Sequence, residues 1–148
     1  MILGKYFPEE WKTLAFNAHL ACFGEERDAE TNTYDYVLCS FKDNPEKTIC
    51  GYIGILEQDK NSAYLQHGGA FPSMSGTALT MRSYKLAINY LRERYNILFC
   101  TILNTNISML KMALNVGFKI IGVDYDQQKN AVVLRLANYI YKQNETVS

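Results

Sequence analysis

Apolar and polar positions alternate along the chain in blocks that predict one mixed α/β domain. Strand-like patterns, with period-two alternation or short β-branched runs, occur at residues 34–41, 48–57, 63–71, 97–103, 118–125 and 131–139. Helix-like patterns, with apolar residues every three or four positions, occur at residues 8–24, 75–95 and 107–116. Polar turns at 43–45 and 59–61 separate three successive strands, so we expect those strands to form an antiparallel meander.

The long helix expected at residues 75–95 carries one apolar face. Its members are Tyr84, Ala87, Ile88, Leu91 and Tyr95. This spacing is typical of a helix that packs on a sheet, and it makes these side chains candidates for the core.

The stretch ILFCTILNTNISMLKMALNVGF, residues 97–118, combines a strand, a turn and a short helix. The apolar run 97–103 predicts a strand covered on both faces. The polar residues 104–106 can cap a following helix, and Gly117 predicts its end. In that helix the apolar residues Ile107, Leu110 and Leu114 recur at helical spacing.

Composition adds limits to this picture. The chain has 148 residues, 48% of them hydrophobic, which suits a single domain over 1–141 with a flexible tail at 142–148. A formal net charge of zero does not favour a nucleic-acid partner, and no apolar run is long enough to predict a membrane span. The four cysteines lack metal-ligand spacing, so we expect buried, reduced thiols and no metal. Because the sequence shows neither a membrane span nor the layout of a signal peptide, we expect a cytoplasmic location.

The residues Asn106, Gly117 and Phe118, together with the order of elements, resemble the GNAT (GCN5-related N-acetyltransferase) superfamily. In that family an Asn opens the helix after the fifth strand, and a Gly-Phe pair leads into the sixth strand. The resemblance covers nearly the whole chain. It implies a mostly antiparallel mixed sheet with helices on both faces, and acetyl-CoA as cosubstrate.

In the family, a loop of the form Gln/Arg-x-x-Gly-x-Gly/Ala at the start of the long helix holds the coenzyme A pyrophosphate. Small residues let backbone amides approach the phosphates, and the helix N-terminus adds partial positive charge. The corresponding residues here are Ser75, Gly76, Thr77, Ala78, Leu79 and Thr80. Ser75 replaces the leading Arg or Gln, and Ala78 and Thr80 replace the glycines. The alternative is that Ser73 or Ser75 only caps the helix.

Gly68 and Gly69 interrupt the strand that the family normally bulges and separates from its neighbour. The resemblance implies that the pantetheine arm of the coenzyme fills the gap, beside Ala70 and Phe71, and that Asn106 contacts it. The alternative is a bulge that only adjusts the twist of the sheet.

The family's usual thiolate-protonating Tyr corresponds to Ala113, so this general acid is missing. Tyr84 or water could replace it. For the general base, His67 is the first candidate because its ordinary pKa lies near neutrality. Glu57 and Tyr64 are secondary candidates.

The resemblance therefore implies an acetyl-CoA-dependent N-acetyltransferase with a small-molecule or protein amine as acceptor. A competing hypothesis is a catalytically silent GNAT fold that serves as a binding or virion module, since the departures from the family pattern also resemble small GNAT-like proteins of tailed phages. An unrelated α/β binding domain is a third hypothesis. A homodimer and a virion assembly both remain open.

Overall fold

The computed structural model describes residues 1–7, 34–45, 49–70 and 78–140. Within these ranges the chain forms seven strands and two helices. The strands are β1 (Ile2–Tyr6), β2 (Tyr36–Phe41), β3 (Ile49–Asp59), β4 (Ser62–Ala70), β5 (Ile97–Leu103), β6 (Lys119–Asp126) and β7 (Ala131–Tyr139). The helices are α1 (Ala78–Arg92) and α2 (Ile107–Asn115). The helix expected at 8–24 and the tail at 142–148 lie outside the described residues.

All seven strands join one sheet in the order β1-β2-β3-β4-β5-β7-β6. Strands β1 to β4 are antiparallel neighbours, which confirms the predicted meander. The pair β4 and β5 is parallel, and α1 forms the crossover between them. Strands β5, β7 and β6 are again antiparallel. The sheet is therefore mixed, with a single parallel pair at its centre.

Helix α1 buries the face that its apolar spacing predicts. Tyr84, Ala87, Ile88 and Leu91 are all buried, and Tyr95 is buried just beyond the end of the helix. They join one core cluster with inward residues of β2 to β5 and β7. Neither helix in the described ranges is long and apolar enough to cross a membrane.

A smaller cluster lies on the opposite face of β2 and β3. It consists of Tyr34, Val37, Cys39 and Tyr52, which alternate along the strands with members of the larger core. Both faces of this half of the sheet are therefore buried. Cys39, Cys50 and Cys100 are buried and form no disulfide, as expected, and Cys22 lies outside the described residues.

Strand β5 differs from its prediction. Leu98, Cys100 and Ile102 are buried on the face toward the helices, but Phe99 is half-buried and Thr101 is exposed on the other face. The expectation of a strand covered on both faces was wrong. A short apolar run does not show which face of a strand is covered, because that depends on what packs against the finished sheet.

Helix α2 also presents a different face from the one expected. Ile107 and Leu114 are 52% and 45% exposed, whereas Ala113 is fully buried. Met109, Leu110, Met112 and Val116 pack on the core beside Ala113. The small Ala113 side chain lets the helix lie close to the sheet, so packing rather than the spacing of large apolar residues sets the rotation of α2.

The ends of α2 follow the sequence signals. Asn106 is the N-cap, and its side chain accepts a hydrogen bond from the Met109 amide. Gly117 has a φ of 103°, a left-handed conformation that favours glycine. The amides of Gly117 and Phe118 donate to Leu114 and Ala113 carbonyls at 3.2 and 3.0 Å, which is a Schellman arrangement. The predicted helix stop and Gly-Phe exit are confirmed.

Candidate functional site

Strands β4 and β5 pair over only part of their length. Their parallel register runs from Ser62 opposite Ile97 to Leu65 opposite Cys100 and then ends. Beyond that point β4 continues to Ala70 along β3, and β5 continues to Leu103 along β7. The two strands therefore separate at the centre of the sheet. On the sides that face the gap, their backbone groups lack a strand partner among the described residues.

A β-bulge marks the point of separation. Gly54 is opposite His67 and Ile55 is opposite Leu65, so Gln66 is the extra residue on β4. Gly68 and Gly69 pair in regular register with β3. The expectation that this glycine pair forms the bulge was wrong. The extra residue is Gln66, two positions before Gly68, where β4 separates from β5.

Gln66 has an unusual side chain. Its Oε1 atom is buried and has no hydrogen-bond partner among the described residues. A buried acceptor without a partner costs roughly 1–3 kcal/mol. Such an atom at the bulge is a candidate ligand contact, because a bound N–H or O–H group would satisfy it.

Tyr84, on the buried face of α1, is the second described residue that has a buried polar atom without a hydrogen-bond partner. Its hydroxyl is buried and unpartnered. Burial raises the pKa of Tyr84 far above its ordinary value, and the nearby Cys100 thiol adds to the shift. The phenol therefore keeps its proton at neutral pH and can donate it in a hydrogen bond.

The first described residues of α1 belong to the expected pyrophosphate loop. Ala78 is exposed, and Leu79 and Thr80 are half-buried. No acidic side chain lies in this first turn, so the described part of the helix start presents no negative charge to a phosphate. Phe71, Ser75, Gly76 and Thr77 lie outside the described residues, and their roles remain predictions.

Asn106 and Ala113 lie on α2, which follows β5. Asn106 is exposed, and because its Oδ1 accepts from the Met109 amide at 3.3 Å, its NH₂ group remains for another acceptor. Ala113 is fully buried in the core. A tyrosine would not fit at this position without repacking, so the missing general acid reflects the packing of α2 as well as its sequence.

The base candidates are distributed along β3 and β4. The backbone of His67 directly follows the bulge and pairs with Gly54. Ala70 is the last residue of β4, opposite Gly51. Tyr64 lies on the paired part of β4, and its hydroxyl makes a 2.8 Å hydrogen bond with Thr101 Oγ1 across to β5.

Glu57 takes part in a separate network. It lies opposite Ala63, along the paired part of β4, and its Oε1 accepts a hydrogen bond from the Tyr95 hydroxyl. The Tyr95 hydroxyl also contacts that of Tyr36 at 2.7 Å. The structure therefore places Glu57 away from the bulge and gives it a structural partner. Burial raises the pKa of Tyr36 to about 12, and the charge of Glu57 adds to the shift.

This network predicts a loss of stability at high pH. An unfolded tyrosine loses its proton near pH 10, but folded Tyr36 keeps its proton up to about pH 12. Its contribution is therefore fully present below about pH 10 and is lost as the pH rises toward about 12. We expect the urea midpoint to fall between about pH 8 and about pH 11, and to fall less in Tyr36→Phe.

Tyr139→Phe is the matched control, because this side chain is 48% exposed. It should lose stability over the same pH range as steeply as the parent chain. An equal fall in the Tyr36→Phe chain would show that the Tyr36 phenol does not contribute to the pH dependence.

Sequence reasoning missed Gln66 and the Tyr36–Tyr95–Glu57 network. Gln66 stands in a strand of alternating residues, and no local signal marks it as an inserted position. The network joins β2, β3 and the turn after α1. Its members are 59 and 38 residues apart, so only the folded sheet brings them together.

No family model matches the sequence, and no curated protein is similar to it by sequence. By structure, the chain is similar to the ribosomal-protein-S18-alanine N-acetyltransferase of Escherichia coli, at a TM-score of 0.77 and 12% identity over 99% of this chain and 98% of that one. A GNAT-family acetyltransferase from Bacillus cereus ATCC 10987 gives 0.75 at 12% identity, over 95% and 98%. The chain has the GNAT fold.

A third GNAT-fold structure, a family acetyltransferase from Elizabethkingia anophelis, contains acetyl-CoA. It gives a TM-score of 0.74 at 10% identity and covers 93% of this chain and 97% of that chain. For the described ranges, the element order predicted from the hydrophobic pattern and the mostly antiparallel mixed sheet that the resemblance implies are therefore confirmed. Within this GNAT fold, the separation of β4 and β5 is the central opening of the sheet.

Proposed function

We propose that the chain is an acetyl-CoA-dependent N-acetyltransferase that moves an acetyl group to an amine. The observation that carries the proposal is the separation of β4 and β5 after Leu65 and Cys100. Unpaired strand edges bind an extended chain that carries its own amide groups, as in strand addition. The pantetheine arm of coenzyme A is such a chain.

The residues around the opening fit this cosubstrate. The backbone of Gln66 to Ala70 offers unpaired groups along one side, and the orphaned Gln66 Oε1 can accept a hydrogen bond from an amide N–H. The exposed Asn106 NH₂ group can donate to a carbonyl. The pyrophosphate would lie at the start of the long helix, at the loop Ser75 to Thr80, with Phe71 beside the arm.

Acetyl-CoA supplies an acetyl group as a thioester. The chain must then take a proton from the acceptor ammonium, polarise the thioester carbonyl and give a proton to the departing thiolate. The new bond joins the amine nitrogen to the acetyl carbon, and the carbon–sulfur bond breaks. We assign the first role to His67 and the second to β4 backbone N–H groups. In the absence of a tyrosine at Ala113 we assign the third role to water, because the raised pKa of Tyr84 makes its phenol a hydrogen-bond donor and a poor proton donor.

The acceptor class is an amine on a small molecule or a protein. Structures similar to this chain include both kinds: the S18-alanine N-acetyltransferase, the NatC complex bound to a Gag peptide, and a nourseothricin acetyltransferase. Each name describes that protein alone. For this chain the acceptor stays at the level of an amine.

A second candidate function is a catalytically silent GNAT fold that acts as a binding or virion module. Ala113 favours it, because the position of the usual acid is fully buried. The silent module is also favoured by three replacements in the expected phosphate loop: Ser75, Ala78 and Thr80. Both candidates use the same fold, so cofactor binding separates them.

Calorimetric titration with acetyl-CoA and with free coenzyme A tests the proposal. We expect micromolar binding, about −8 kcal/mol, and a rise of the unfolding temperature with ligand. In Gly76→Arg, where a long side chain replaces the residue expected to approach the phosphates, binding should weaken at least about 100-fold.

Gln127→Arg is the matched control, because it adds the same charge at an exposed position between β6 and β7. It should bind both ligands like the parent chain. Absence of heat and of thermal stabilisation at millimolar ligand would overturn the enzyme proposal and favour the silent module.

A further inference from the structure

Strand β6 forms one edge of the sheet. Among the described residues it pairs only with β7, so the backbone groups on its other side have no strand partner. It also exposes large apolar side chains. These are Ile120, Ile121, Val123 and Tyr125, at 47%, 46%, 61% and 58% exposure. An exposed apolar edge strand is a template for pairing with another strand.

The two ends of β6 carry opposite charges. Lys119 is the first residue, and Asp126 is the last. Asp124 lies within the apolar segment, but Arg135 of β7 binds it at 2.8 Å. Its charge is thus compensated inside its own chain, and the middle of β6 presents mainly apolar groups to a partner.

Gly122 is part of this arrangement. A Cβ atom at this position would lie 2.4 Å from Arg135 Nη2, so any other residue would require the end of the Arg135 side chain to shift from its path across the strand toward Asp124. The bulge at Ile121 shifts the register against β7 just before Gly122. A bulge is one of the features that protect an edge strand, but this one lies near the start of β6, and residues 122–126 continue in regular register with β7.

We propose that β6 is the interface of a homodimer, in which the β6 strands of two copies pair antiparallel about a two-fold axis near Val123. Antiparallel pairing brings the basic end of each strand, Lys119, beside the acidic end of the other, Asp126. Parallel pairing would place like charges together. An isologous two-fold contact uses the same surface on both copies, and a strand with a basic end, an apolar middle and an acidic end meets that requirement.

The mass of the full chain in solution tests the interface. We expect light scattering and sedimentation to show a concentration-dependent rise from the monomer mass of 16.9 kDa toward twice that value. In Val123→Lys the mass should stay at that of one chain, because two lysines would meet at the axis. Since Val123 is 61% exposed, the variant should keep the circular dichroism spectrum and unfolding temperature that the parent shows as a monomer.

Phe7→Lys is the matched control at the opposite edge of the sheet, where Phe7 follows β1 and is 50% exposed. It should still dimerise. A parent chain that remains monomeric at high concentration, or a dimer that Val123→Lys leaves intact, would overturn the proposal.

Cross-linking tests the direction of pairing. With a short bismaleimide, Val123→Cys should cross-link to its copy above the level given by the native cysteines. Lys119→Cys should not, because antiparallel pairing about Val123 separates the two copies of this residue by eight positions, about 26 Å. Efficient cross-linking at both positions would indicate parallel pairing and contradict the proposal.

Discussion

In a Leu98→Ala chain we expect the free energy of unfolding to fall by about 2–5 kcal/mol. Leu98 is fully buried on β5 and pairs with Ala63 in the short segment that joins β4 to β5. Removing its side chain leaves a cavity under α1, where the core is continuous. Urea denaturation extrapolated to water measures the loss.

Leu114→Ala is the control, because it makes the same chemical change at a side chain that is 45% exposed. It should cost no more than about 0.5 kcal/mol. Equal costs at the two positions would contradict the assignment of Leu98 to the core. Because the paired segment holds the two strands where they begin to separate, Leu98→Ala should also weaken acetyl-CoA binding, if the proposed function is right.

For Gln66→Met we expect stability and ligand affinity to change in opposite directions. The free chain should gain roughly 1–3 kcal/mol, because the buried Oε1 atom without a partner is replaced by an apolar group of similar length. Acetyl-CoA should bind about 3-fold to 10-fold more weakly, because the proposed hydrogen bond from the ligand to Oε1 is lost. Thermal unfolding and calorimetric titration of the same preparation measure both changes.

Asn138→Leu is the contrasting control for the stability change. Asn138 is a buried amide that has a partner: its Nδ2 donates to the Val116 carbonyl at 3.0 Å. Replacing it leaves that carbonyl at the end of α2 without its donor, so the chain should become less stable. If Gln66→Met also destabilises the chain, or leaves affinity unchanged, Gln66 Oε1 does not face the ligand.

Together, Leu98→Ala and Gln66→Met distinguish the part of the central strands that stabilises the fold from the part that is proposed to bind the ligand. Leu98 belongs to the part where β4 and β5 are paired and the core is continuous. Gln66 belongs to the part where they separate and a buried polar atom lacks a partner. A structure that keeps an unsatisfied acceptor at its centre loses stability there, and such costs are typical of sites that bind a ligand.

Local signals in the sequence predicted most of the elements correctly. The strand near 131–139 coincides with β7, and the buried face of α1 is the one that Tyr84, Ile88 and Leu91 indicate. The Asn106 cap and the Gly117 stop were also predictable. These features depend on residues within a few positions of one another, so the chain determines them before any long-range contact forms.

The site itself was only partly predictable. The resemblance based on Asn106, Gly117 and Phe118 indicated the fold and a gap beside β4, but it placed the bulge at Gly68 and Gly69 instead of Gln66. It also could not show that Tyr84 would have a buried, unpartnered hydroxyl. Both facts depend on which residues oppose one another across strands and helices.

The sequence by itself determined the order of elements, their caps and the inward face of α1, because periodicity and capping are local properties. Only the tertiary structure decided where β4 leaves β5, which face of α2 is buried around Ala113, and which strand becomes the exposed edge. The reason is physical. Register, helix rotation and strand order depend on contacts between distant segments, and these contacts have a defined geometry only when the whole sheet is assembled.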